Sequence, residues 1–113
     1  LGGMPEGSYL GIGLISRDDV QNSVTDALET IVRMVNEESE YQYKTFLCVT
    51  CAARFLALAS NLKAEGDVCR EHLPKGFSLQ GMYAYGEFCP AKGKTTGKDY
   101  NMFNNFTFAI LAI

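Results

Sequence analysis

The final third of the chain carries two runs in which side chains change sides at every residue. Phe106, Phe108, Ile110 and Ala112 alternate with Thr107, Ala109, Leu111 and Ile113, and further upstream Tyr83 and Tyr85 alternate with Met82 and Ala84. A period of two is what a strand requires, because successive side chains leave a sheet on opposite faces. Residues 81–88 and 103–113 therefore read as the two strands of an antiparallel hairpin. The Gly- and Lys-rich stretch between them is too long to set the register as a tight turn, so it must be packed down or face a partner. Gly86-Glu87 marks the point where the chain leaves the first of these strands. An acid directly after a glycine, at the end of an aromatic strand, suits a site at a sheet end better than a core position.

Upstream, residues 8–15 place Leu10, Ile12 and Leu14 on one face and Gly11 and Gly13 on the other, the pattern of a first strand. Ser16 is placed to cap a helix, and Asp18 and Asp19 lie in its first turn, where the helix dipole favours negative charge. Val20, Val24, Leu28, Ile31 and Val35 then hold one helical face, predicting a helix over about residues 17–36. The acids that follow, Glu37, Glu38 and Glu40, read as a solvated exit loop. Residues 44–49 form a short continuous apolar run, as expected of a central strand covered on both faces. Thr50 reads as the N-cap of a second helix over 51–59, and the spacing of Val68, Cys69, His72 and Leu73 predicts a third over 65–73, ended by Pro74 and Gly76.

These elements run βαβααββ and predict an α+β domain: a mixed β-sheet with helices mainly on one face and a C-terminal antiparallel hairpin. With 113 residues, 1–113 is read as one domain, and the absence of an initiator Met, a signal segment or a long apolar run suggests a piece of a longer chain without a membrane span. A net charge of -3 argues against binding to a nucleic-acid backbone. Four cysteines, two of them in Cys48-Val49-Thr50-Cys51, lack the spacing of a zinc site or the surroundings of a redox pair; they read as buried reduced thiols in an intracellular, cytoplasmic protein. No cofactor is implied. Gly93-Lys94-Thr95 resembles a phosphate-binding loop, but the leading glycine position is Phe88 and no helix follows. His72 has no nucleophile or acid spaced to work with it, and no triad, metal set or carboxylate pair is readable, so a catalytic role is not expected.

The candidate site gathers at the expected end of the sheet. Arg54 lies one turn into the second helix, near the crevice where open α/β sheets hold ligands, and Thr50 and Cys51 occupy the junction before it. Tyr85, Gly86, Glu87 and Asn104 lie on the hairpin segments that would converge there. Arg54 and Glu87 are expected to be neighbours. Either they read a ligand, arginine taking a carboxylate and glutamate an ammonium, or they form a structural ion pair.

Cys51-Ala52-Ala53-Arg54 opening a helix after an apolar strand, together with Gly81-Met82-Tyr83-Ala84-Tyr85-Gly86-Glu87-Phe88 before an Asn-containing final strand, resembles the C-terminal half of the FIST domain (F-box and intracellular signal transduction proteins). Glu6-Gly7-Ser8 and Gly76 fit as well. The resemblance implies a cytoplasmic sensory or signalling module that binds a small ligand such as an amino acid, preceded in the full chain by an N-terminal FIST half. The alternative is a structural or protein-interaction domain without a small ligand. Self-association of the isolated chain is a further expectation, since a sheet made to face another unit leaves an apolar patch or an open edge.

Overall fold

The computed structural model describes residues 3–38, 40–59, 61, 63–92 and 97–113; the phosphate-loop-like stretch at 93–96 lies outside them. The longest element is α1 (Arg17–Glu37). Its start is fixed by a capping box in which the Asp19 N–H donates to Ser16 Oγ at 3.0 Å and the Ser16 N–H donates to Asp19 Oδ2 at 2.8 Å. Val20, Val24 and Leu28, each one helical repeat from the next, are fully buried.

β1 (Thr45–Cys51) follows and is the centre of the main sheet. It leads directly into the short α2 (Ala52–Ala57), then α3 (Ala64–His72), then β2 (Ser78–Ala84), which lies parallel to β1 with Cys48 opposite Gly81. β3 (Glu87–Lys92) and β4 (Asp99–Asn104) form a separate antiparallel pair, and β5 (Phe108–Ala112) returns to β1 antiparallel, Ile110 opposite Cys48. The main sheet has the order β2-β1-β5, with one parallel and one antiparallel neighbour for β1. This is an α+β fold with a mixed sheet.

The core lies on one face of that sheet. Phe46, Cys48 and Thr50 of β1 point into it, and Val24 and Leu28 of α1, Cys69 of α3, Leu79 of β2 and Phe108 and Ile110 of β5 close around Cys48. A second cluster joins Val20, Leu58 and Ala64, with Phe106 packed against it. Phe46 stacks on Phe77 at 5.0 Å between ring centroids. α1 and α3 both pack on this side, as helices on one face require.

Two expectations about the strands are corrected. Residues 8–15 belong to no sheet, and Ile12 and Leu14 are 96% and 97% exposed. The alternation is present, but a strand exists only with a neighbour to pair with, and none of the described strands takes that place. The expected hairpin of 81–88 with 103–113 does not form either: the first run breaks between β2 and β3 at Tyr85 and Gly86, and β2 and β5 flank β1 on opposite sides and never meet. The chain instead makes its hairpin one step later, β3 with β4, where Phe88 and Phe103 pack ring to ring at 5.1 Å. Thr50 is likewise the penultimate residue of β1; the N-cap of α2 is Cys51, which makes no side-chain cap.

Candidate functional site

Arg54 is buried to 3% exposure because a six-residue helix starting at the end of a central strand carries it straight into the core. Its Nε donates to Glu65 Oε1 at 2.7 Å, and its Nη2 donates to the Val20 carbonyl and to Ser23 Oγ, both at 2.9 Å. The guanidinium also lies 5.7 and 5.8 Å from the ring centroids of Phe106 and Phe108. Thr50 Oγ1 donates to the other oxygen of the same carboxylate, Glu65 Oε2, at 3.0 Å. Arg54, Thr50, Ser23 and Glu65 thus tie α1, β1, α2 and α3 into one polar knot inside the apolar core. A charge pair with both partners hydrogen-bonded is the form in which burial is tolerated.

Arg54 and Glu87 are therefore not partners. The acid that reached Arg54 is Glu65, one turn before Cys69 on the same helical face, so α3's apolar face delivers it to the core along with Ala64 and Cys69. That spacing was visible in the sequence: an acid four residues from a buried cysteine shares its side of the helix.

Glu87 has the opposite situation. It opens β3, faces Asn104 across the hairpin, and is 5% exposed, yet among the described residues no donor reaches either carboxylate oxygen. The Asn104 amide donates to Cys89 Sγ at 3.3 Å. Gly86 before it has φ +105°, a backbone state that side chains disfavour, and a Cβ there would collide with the Phe103 ring. The glycine thus lets the chain turn from β2 into β3 under an aromatic lid.

Two cavities flank these groups. One, of about 260 Å³, lies between α3 and β2 and is lined among others by Cys48, Glu65, Cys69, Arg70 and Tyr83. Burial, reinforced by the charge of Glu65, raises the Tyr83 hydroxyl above the usual tyrosine range. The neighbouring Cys69 thiol, together with burial, pushes the Cys48 thiol above the usual cysteine range. All four cysteines are free thiols. The other cavity, of about 360 Å³, is lined by Cys51, Ala52, Phe55, Leu56, Tyr85 and Asn105, with Ala53 beside them. Its lining includes Tyr85, in the bend two residues before Glu87, and Asn105, in the bend directly after Asn104, so it adjoins the chain on both sides of that pair.

Of the residues singled out from the sequence, Cys51 and Tyr85 meet at this second cavity, and Gly86, Glu87 and Asn104 form the hairpin base next to it. Arg54 and Thr50 belong to the buried knot instead. Phe55 and Asn105 also line the cavity, and neither is among the candidate residues named from the sequence.

The model of the FIST C domain matches residues 1–90. The chain belongs to the FIST C-domain family. Its members are signal-transduction sensory domains, and the matched stretch takes in Arg54, Glu65, Tyr85, Gly86 and Glu87 but ends before Asn104 and β5. No solved structure matches the chain. No helix among the described residues is long and apolar enough to cross a membrane.

Proposed function

We propose that this FIST C domain is a cytoplasmic sensory module that binds a small ligand, an amino acid or related metabolite, without turning it over. The observation that carries this reading is the carboxylate of Glu87, buried and without a hydrogen-bond partner among the described residues, two positions after Tyr85, which lines the cavity with Phe55 and Asn105. Burying a charge with no hydrogen-bond partner is among the most expensive arrangements a fold contains, and native structures rarely keep one without use. An ammonium group brought by a ligand supplies the missing donors and charge. Phe55 and Tyr85 give aromatic walls suited to an amine with an apolar body. Arg54 plays no part in this contact, because its guanidinium is committed to Glu65.

Thermal-shift screening against amino acids and simple amines tests the reading. A ligand at a hundred times its dissociation constant should stabilise the chain by about 2.7 kcal/mol, and Glu87→Gln should abolish the response. A response that survives Glu87→Gln would place the ligand elsewhere. A second reading, a protein-interaction domain, is favoured by the uncovered apolar face of the main sheet described next.

A further inference from the structure

The registers of β1 with β2 and β5 put Leu47, Val49, Met82, Ala109 and Leu111 on the face of the sheet opposite the core. Leu47 and Val49, although central, are only half-buried, and Met82, Leu111 and the following Ile113 are 56–60% exposed. α1 and α3 pack on the other side. The same chain carries a second unpartnered apolar surface. Residues 8–15 form a ribbon outside any sheet whose Leu10, Ile12 and Leu14, alternating in sequence with Gly11 and Gly13, are all exposed. Neither surface contains a charged side chain, so nothing charged is desolvated when they meet.

The ribbon does not cover the bare face of its own chain. It ends at the Ser16 cap of α1, a helix on the core side of the sheet, and its side chains touch almost nothing of their own molecule. We propose that two copies pair about a two-fold axis, the ribbon 8–15 of each seating Leu10, Ile12 and Leu14 on the Leu47, Val49, Met82 and Leu111 face of the other. With the adjoining Ile113, each contact brings together about eight apolar side chains. At roughly 75 to 100 Å² apiece that buries about 600 to 800 Å² per contact and roughly twice this in the pair, the range of a stable specific dimer. A two-fold arrangement satisfies both surfaces at once and leaves none over.

Light scattering after size exclusion reads the outcome. The 113-residue chain should run at twice its 12.4 kDa mass. Ile12→Asp with Leu14→Asp, and separately Met82→Asp with Leu111→Asp, should each weaken dimerisation by roughly thirtyfold or more, the loss expected when central interface anchors are removed. Circular dichroism should be unchanged, because all four positions are at the surface. Mixing the two variants restores one intact ribbon-on-face contact, so a heterodimer should appear where each variant alone is monomeric. A monomeric parent chain at high concentration overturns the proposal, as does a dimer indifferent to the ribbon substitutions or a mixture that fails to pair.

Discussion

Glu65 and Glu87 are two acids of one chain, equally hidden from water and held in opposite ways. Glu65 receives Arg54 at 2.7 Å and Thr50 at 3.0 Å, one donor on each carboxylate oxygen. Glu87 receives no donor from the described residues. Desolvation is comparable for both, so the difference lies in compensation: the first is a closed structural unit, and the second retains an unmet demand for a cation. A buried charge is a fold element where the protein answers it and a candidate binding group where the protein does not.

The largest effect should come from breaking the closed unit. Arg54→Met leaves Glu65 buried without its cation and should lower stability by about 3 to 5 kcal/mol, measured by urea denaturation with an unchanged slope. A loss below about 1 kcal/mol would mean that the knot is less sealed than its geometry indicates. Substituting the open acid should act in the other direction. Glu87→Met removes an unsatisfied buried carboxylate and should raise stability by about 1 to 3 kcal/mol, visible as a higher denaturation midpoint.

A third acid calibrates the pair from the surface. Asp19 is exposed but doubly engaged with Ser16, whose backbone N–H and hydroxyl hold its carboxyl below the usual carboxylate range. Its folded pKa lies below its unfolded one, so the cap's contribution is complete above about pH 4 and fades as pH falls through the folded value. Ser16→Ala should cost about 1 kcal/mol at neutral pH and less in acid, when melting is followed across that range. The smallest effect concerns Tyr83. Its raised pKa means that its contribution is complete below the unfolded value of about 10 and is lost as pH climbs towards the folded one. Tyr83→Phe should therefore lose less melting temperature than the parent chain above that pH.

Much of this was legible in the residues. Val20, Val24 and Leu28 with the Ser16 and Asp19 signals placed α1 within a residue of its observed ends, and residues 44–49 were rightly read as central, although only one face of that strand is covered and Leu47 and Val49 on the other are half-buried. Alternation failed where it was asked for more than faces. Within the runs 81–88 and 103–113 it found the strand-like stretches 81–84 and 108–112, but not that each would choose β1 over the other, since pairing depends on contacts distant in sequence. Residues 8–15 have the pattern without the partner. At the site, Gly86 and Glu87 were legible from the Gly-acid step after an aromatic strand, whereas the acid that paired Arg54 was misassigned. A guanidinium and two eligible carboxylates do not reveal from sequence alone which pair the fold will close.

Glu65 is scaffold and Glu87 is not, and side-by-side melting curves of Glu65→Gln and Glu87→Gln without added ligand separate the two. Glu65→Gln should melt far below the parent chain and Glu87→Gln at or above it. A large drop for Glu87→Gln would contradict the account and make that carboxylate part of the structure.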